Sequence, residues 1–187
     1  MAQPYRSASQ AQGLRVGEKA PNFQATDSHG NQFKLESALK EGPVVVVFYR
    51  GHWCPVCNKH LKKLQDSLEV IQQAGARVVA ISPEKPDNLE KTAEKTGTRF
   101  SLLYDEGYRI SDAFDVTFRP DSMDRIMYNT ILRANLKNAH SDDSQQLPVP
   151  ATFVIGRDGK IAWRHFDPDY KKRASAREIM EALTGLN

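Results

Sequence analysis

The sequence predicts an α/β domain with a central mixed β-sheet and helices on both faces. Two apolar segments, VVVVFY at residues 44–49 and RVVAIS at residues 77–82, are rich in β-branched residues and lack polar alternation. Such runs are typical of central strands that are covered on both faces. A helical pattern separates them, and the chain ends with two strand-like segments and a helix-like one. This alternation of strand and helix patterns indicates the fold class.

Local signals predict the first half of the chain in order. FQATD and QFKLE flank a turn at residues 28–31 and predict an N-terminal β-hairpin. After the first central strand, four apolar residues at helical spacing predict one long helix that ends at Gly75. These four residues are Leu61, Leu64, Leu68 and Ile71. Beyond the second central strand, a helix is predicted over residues 87–95, followed by the short strand SLLYD and the helix GYRISDAF.

The second half of the chain is less regular. ATFVIG and KIAWRHF predict strands on either side of a turn at residues 156–159, and a final helix is predicted over residues 174–183. Residues 116–149 do not fit this rhythm and are predicted to be an insertion before the last hairpin. Residues 1–15, rich in Ala, Gln and Ser, are expected to be a flexible N-terminal segment ahead of a single domain over residues 16–187.

Composition narrows the functional classes. The 187 residues are 40% apolar and 26% charged, as in ordinary globular proteins. The net charge of +3 is small, and no basic stretch is interleaved with aromatic residues, so we expect no nucleic-acid partner. The first residues lack the apolar core of a secretory signal, and no apolar run approaches the length of a membrane span. A cytoplasmic location is therefore expected.

Both cysteines of the chain, Cys54 and Cys57, follow the first central strand. In a reducing compartment such a pair is typical of a catalytic or metal-binding site rather than of a structural disulfide. If a helix begins near Cys54, Pro55 occupies its first turn and Cys57 lies about one turn further on, close enough for a disulfide. The helix N-terminus also favours a thiolate over a thiol.

Five segments occur in order over most of residues 14–187: VGEKAPNF, VVVVFYRGHWCPVC, VVAISPE, SLLYDEGYRISDAF and PATFVIGRDGKIAW. With them the sequence resembles the thioredoxin-fold superfamily and, within it, the peroxiredoxin-like proteins of the alkyl hydroperoxide reductase and thiol-specific antioxidant type. The resemblance implies a thioredoxin-like fold and reduction of hydrogen peroxide or organic hydroperoxides. It further implies a dithiol-disulfide cycle of Cys54 and Cys57 reset by thioredoxin or glutaredoxin, no cofactor beyond the thiols, and a possible homodimer.

Two family patterns assign the cysteines differently. The peroxiredoxin pattern Pro-x-x-x-Thr-x-x-Cys makes Cys57 the attacking residue, with Arg50 in the place of the proline and Cys54 in that of the threonine. The arginine that the resemblance implies falls near Pro150. The thioredoxin-like pattern Trp-Cys-x-x-Cys instead makes Cys54 the attacking residue, Trp53 part of a docking surface and Pro150 a cis proline. This alternative predicts a protein disulfide oxidoreductase, and the sequence leaves open which cysteine reacts first.

Two further candidates precede the cysteines. Arg50 and His52 are close enough in sequence to stabilise an oxygen that leaves the peroxide, or to contact the substrate. A third function is a zinc-binding or non-catalytic module, since His52 and His60 flank the two cysteines as a Cys2His2 set would require. The spacing is more compressed than in the usual separated ligand pairs, so no metal is expected, and His60 is predicted to lie on the helix surface.

The segment DYKKR at residues 169–173 resembles an Asp-Tyr-x-x-Arg feature near the C-terminus of some peroxiredoxin-like proteins. The competing interpretation is a solvated basic loop that leads into the last helix. The sequence favours the second interpretation, so these residues are not predicted to belong to the site.

Overall fold

The structure is a computed structural model that describes residues 5–186, and a short 3-10 helix (Ala8–Gln10) precedes the predicted hairpin. Strand β1 (Gln24–Thr26) pairs antiparallel with β2 (Gln32–Lys34). Helix α1 (Leu35–Glu41) follows directly and was not predicted. Only Leu35 and Ala38 are buried in this short helix, so the sequence offers too few apolar residues to show a helical period.

The next seven elements alternate strand and helix as predicted. They are β3 (Val44–Phe48), α2 (Pro55–Asp66), α3 (Leu68–Gln73), β4 (Arg77–Ser82), α4 (Pro86–Thr96), β5 (Ser101–Tyr104) and α5 (Arg109–Ala113). The one long helix expected after β3 is instead two, separated at Ser67. The Ser67 N–H bonds to the carbonyl of Leu64, three residues back, which ends the α-helical pattern of bonds to the fourth residue back.

The predicted insertion is a closed excursion from the domain. It contains β6 (Thr117–Phe118), α6 (Ser122–Thr130), α7 (Leu136–Ala139) and β7 (Leu147–Pro148). Strands β6 and β7 pair antiparallel, so the excursion leaves and rejoins the domain at one place. The chain then forms β8 (Thr152–Ile155), β9 (Ile161–His165) and α8 (Ala176–Thr184).

Five strands form the central mixed sheet in the order β5-β4-β3-β8-β9. Strands β3, β4 and β5 are parallel, whereas β8 and β9 are antiparallel to their neighbours. Because successive side chains of β3 point to opposite faces, the valine run contributes to two cores. Val46 and Phe48 pack with Phe114 and Phe153 on one face. Val45, Val47 and the following Tyr49 face the core that contains α2 and both cysteines.

The N-terminal residues that the structure describes lie against the domain. The Arg6 guanidinium donates to the Thr117 carbonyl, the Gly13 N–H donates to the Asp115 carbonyl, and Ala11 is buried. These partners lie more than one hundred residues away in the chain, so local composition could not indicate them. Residues 1–4 lie outside the described residues, and the domain boundary at residue 15 stays a prediction.

Candidate active site

Cys54 and Cys57 lie where β3 gives way to α2. Cys54 is the N-cap of α2 and Pro55 is its first residue, as the sequence predicts. The Cys54 Sγ accepts the backbone N–H of Cys57 at 3.3 Å and thereby caps one free donor of the helix. Both cysteines have 0% exposed surface and both are free thiols. The dithiol therefore sits beneath the surface at the N-terminus of a helix.

Arg173 reaches this pair from the loop between β9 and α8. Its Nη2 donates to the Cys57 Sγ at 3.1 Å, and its Nε donates to the Tyr170 carbonyl at 2.6 Å. The two residues of the hydrogen-bonded pair are 116 positions apart in the chain. The segment that the sequence favoured as a solvated basic loop thus brings a guanidinium into contact with a cysteine.

Arg50 contacts the other cysteine. Its Nη2 donates to the Cys54 Sγ at 3.4 Å, and its Nη1 donates to the Tyr128 hydroxyl at 2.9 Å. The guanidinium carbon lies 4.0 Å from the ring centre of Tyr170, and the rings of Trp53 and Tyr128 are within about 5 Å. Three aromatic rings and two hydrogen bonds therefore hold a side chain that is only 2% exposed.

These contacts shift the pKa values of the two thiols in opposite directions. Burial raises the pKa of Cys57, but the hydrogen bond with Cys54 and the charges of Arg173 and Arg50 outweigh it, so the pKa lies well below its usual range. Burial and the neighbouring Cys57 raise the pKa of Cys54 well above its usual range, against the charge of Arg50. These directions favour the thiolate form at Cys57 and the thiol form at Cys54.

His52 is engaged by a buried carboxylate. Its Nδ1 lies 2.9 Å from Glu84 Oε1, and its backbone N–H donates to Glu84 Oε2 at 2.9 Å. Glu84 has 0% exposed surface and follows β4, whose carboxyl end lies beside that of β3. A Cβ at Gly51 would lie only 2.6 Å from Glu84 Oε1, so the close approach requires glycine there. Glu84 therefore fixes the loop before the cysteines. In the sequence, the only indication of this role is the position of Glu84 just after a central strand.

His60 is buried rather than on the helix surface, which corrects the prediction. Its Nε2 lies 2.8 Å from the Ala174 carbonyl oxygen, to which it donates. This bond joins α2 to the loop that carries Arg173. With His60 held by Ala174 and His52 held by Glu84, the Cys2His2 zinc set is not assembled. Within residues 5–186 no group of three or more His, Cys, Asp or Glu side chains is arranged to hold a metal ion.

The burial of His60 predicts a loss of stability in mild acid. Burial and the charge of Arg173 lower the pKa of His60 to about 4, against about 6.5 in the unfolded chain. Between these two values the unfolded state binds more protons, so the free energy of unfolding falls as the pH drops from about 6.5 to 4. We expect His60→Gln to flatten this dependence by roughly 2 kcal/mol in urea unfolding series across that range. An unchanged slope in the variant would contradict the assignment.

Two expectations from the thioredoxin-like pattern are wrong. No peptide bond in the described residues is cis, so Pro150 is a trans proline. The Ala151 N–H instead bonds to the Val149 carbonyl at 2.7 Å, which closes a tight turn around Pro150. Trp53 is 5% exposed and packs on Tyr128 with ring centres 5.0 Å apart. It therefore offers no exposed docking surface beside Cys54, because helix α6 of the insertion brings Tyr128 over it.

Comparison with known proteins agrees with this architecture. The AhpC/TSA family model matches residues 16–164. Peroxiredoxin Bcp of Escherichia coli K12 is 30% identical over 158 residues, which cover 84% of this chain and 88% of that protein. Peroxidoxin BcpB of Mycobacterium tuberculosis superposes with a TM-score of 0.70 at 22% identity, covering 92% of this chain and 96% of that one. A peroxiredoxin-like protein of Aquifex aeolicus has a TM-score of 0.71 at 18% identity, covering 94% and 90%. The chain therefore belongs to the AhpC/TSA family, as a thiol-dependent peroxidase of the peroxiredoxin type with a thioredoxin-like fold.

Proposed function

We propose that Cys57 is the sulfur that attacks the peroxide and that Cys54 resolves the product. The observation that carries this assignment is the contact of Arg173 Nη2 with the Cys57 Sγ at 3.1 Å. A charge-assisted hydrogen bond of this kind favours the thiolate, which is the reactive form of cysteine. Cys54, with its raised pKa, remains a thiol and keeps the proton that the second step needs.

The first step transfers one oxygen atom. The Cys57 thiolate attacks the nearer oxygen of the hydroperoxide, an S–O bond forms, and the O–O bond breaks. Cys57 becomes a sulfenic acid, and the departing oxygen takes up a proton to give water or an alcohol. Arg50 contacts one of the two sulfurs and Arg173 the other, so their guanidinium groups can stabilise the negative charge that develops on the departing oxygen.

The second step closes the disulfide. The Cys54 sulfur attacks the sulfur of the sulfenic acid, an S–S bond forms, and the hydroxyl group leaves as water with the Cys54 proton. The positions of the two residues, at the N-cap and in the first turn of α2, suit this closure with little backbone movement. A thiol reductant then returns the pair to the reduced state, a role for which the family resemblance implies thioredoxin or glutaredoxin.

Overoxidation of the wild-type protein tests the order of attack. The sulfur that meets peroxide first is the one that a second peroxide molecule converts to sulfinic acid. We expect one equivalent of hydrogen peroxide to give the Cys54–Cys57 disulfide, and excess peroxide to add sulfinic acid at Cys57. Peptide mass spectrometry locates both products. Sulfinic acid at Cys54 would reverse the proposed roles.

One observation favours the second candidate, a protein disulfide oxidoreductase in which Cys54 attacks. The Cys54 Sγ, as the N-cap of α2, accepts the Cys57 N–H, and a helix N-terminus favours a thiolate. This mechanism predicts that Cys57→Ser traps a mixed disulfide between Cys54 and a protein partner. The trans Pro150 and the buried Trp53 give this candidate less support than the peroxidase.

The dithiol-disulfide cycle indicates the cellular compartment. Within the described part of the chain, no helix is both long enough and apolar enough to span a membrane. A dithiol that must be reduced after each turnover suits a reducing compartment, so we propose a cytoplasmic location. A homodimer and the identity of the natural hydroperoxide stay predictions from the family resemblance.

A further inference from the structure

A groove of about 710 Å³ opens beside Cys57, between α2 and the loop that enters α8. Its apolar lining includes Val56, Leu64 and Ala174. Arg173 also lines it, and this is the side chain that donates to the Cys57 Sγ. Arg173 therefore links the groove to the attacking sulfur, and the volume of the groove is that of a small-molecule site.

Positive charge lines the groove without matching negative charge. Lys59, Lys63, Lys171 and Arg173 line it, against the single carboxylate of Asp66. Across residues 5–186 none of the four cations forms an ion pair. Lys59 and Lys63 also lie four residues apart on α2, where two like charges destabilise a helix. The lining of the groove therefore carries more positive than negative charge, and the repulsion between Lys59 and Lys63 opposes helix formation.

An unpaired hydrogen-bond donor on Arg173 is an independent observation. Its Nη1 is shielded from solvent and has no hydrogen-bond acceptor anywhere in the described residues. Buried donors are normally paired, and an unpaired one on a guanidinium is costly. A carboxylate bound in the groove would give Arg173 and the lysines an anionic partner.

We infer that the groove binds a small thiol that carries carboxylate groups and directs its sulfur to the oxidised Cys54–Cys57 pair. This inference rests on the proposed function, because it names the donor that opens the disulfide of that cycle. The burial of both sulfurs favours a small thiol over a protein. Neither cysteine has exposed surface, Arg173 contacts Cys57, and the rings of Trp53 and Tyr170 pack on Arg50, which contacts Cys54. Glutathione has the required chemistry and serves as the probe.

The exchange is balanced over two thiols. The thiolate of the first attacks the Cys57 sulfur, a mixed disulfide forms, and Cys54 leaves and takes the proton that the thiol gave up. The Arg50 guanidinium and the Cys57 N–H, which contact the Cys54 Sγ, stabilise this departing sulfur. A second thiol attacks the sulfur of the bound first one and releases the small disulfide, and Cys57 returns to the thiolate. Two thiols are oxidised and one protein disulfide is reduced.

Rates of reduction by glutathione and by its diethyl ester, in which both carboxylates are blocked, test the inference. The disulfide is made with diamide, so the measurement does not depend on peroxide chemistry. For wild type we expect glutathione to react about fivefold faster than the ester, and the ratio to fall toward one at high salt, because surface charges are screened. In Lys59→Gln/Lys63→Gln the ratio should lie near one. Comparing two thiols within one variant cancels differences in folding.

Lys62→Gln is the matched control. It removes the same charge from the same helix at a position outside the groove, and it should keep the wild-type ratio. A ratio near one in wild type, an unchanged ratio in the double variant, or a protein that diamide cannot convert to the disulfide would overturn the inference. A ratio near one together with fast reduction by thioredoxin would assign the groove to a protein donor. Oxidation by hydrogen peroxide, measured on the same samples, reports separately on the proposed function.

Discussion

Cys57→Ser is expected to abolish reaction with hydrogen peroxide, whereas Cys54→Ser keeps the first step and loses the second. Removing the attacking thiolate eliminates the pathway, so the rate constant for oxidation should fall by at least about 10³-fold, to that of an ordinary thiol. In Cys54→Ser the contact between Arg173 and Cys57 is unchanged, and the sulfenic acid should accumulate because no resolving thiol is present. Stopped-flow oxidation, with a dimedone trap for sulfenic acid, measures both outcomes.

The comparison between the two serine variants separates the candidate functions. A dimedone adduct on Cys57 in the Cys54→Ser protein supports the peroxidase. Fast oxidation of Cys57→Ser with an adduct on Cys54 would instead favour the thioredoxin-like order of attack. Because both cysteines are fully buried, each substitution changes the core and requires a folding control. The near-ultraviolet signal of Trp53 and Trp163 provides this control for both variants.

Arg173→Gln should lower the rate of peroxide reduction by about 10²-fold at neutral pH, since removing one charge-stabilising donor from a reaction centre typically has an effect of this size. Two causes act together. The guanidinium lowers the pKa of Cys57, so its loss leaves a smaller fraction of thiolate. It also stands beside the sulfur where charge moves to the departing oxygen.

The pH profile distinguishes these causes. Because the charge of Arg173 lowers the pKa of Cys57, its removal shifts the rise of the rate toward higher pH, and the difference between variant and wild type narrows in alkaline solution. Arg173→Lys should restore part of the rate, since it keeps the charge but not the planar fork. Lys172→Gln, the neighbouring position whose Nζ pairs with Asp167, should leave the profile of peroxide oxidation unchanged. A profile that does not move in Arg173→Gln would contradict the proposed role.

The position of Arg173 in the chain distinguishes the site from the pattern that the family resemblance implies. That pattern places an arginine near Pro150, and the chain has none there. The structure instead places Arg173 on Cys57 from the loop after the last hairpin, and Arg50 on Cys54 from the end of β3. Two guanidinium groups thus surround a dithiol in which cysteine replaces the expected threonine.

Local sequence was sufficient for the framework of the site. The valine run before the cysteines predicted a central strand, and Pro55 with a Cys-x-x-Cys spacing predicted a helix that begins at Cys54. Both depend on interactions between residues a few positions apart, namely strand propensity, the missing N–H of proline and the cap of the first turn. The family resemblance, carried by segments in a fixed order, likewise depended on sequence alone.

Tertiary structure decided which side chains contact each sulfur. Arg173, Tyr128 and Glu84 come from a late loop, the insertion and the end of β4, and each reaches the site through contacts that span from 32 to 116 residues. The burial of His60 under Ala174 depends on the same long-range packing. A helix N-terminus alone favours a thiolate at either cysteine, so the sequence left the choice open. Burial makes an unpaired charge costly, and only the folded chain places Arg173 on Cys57 and Arg50 on Cys54.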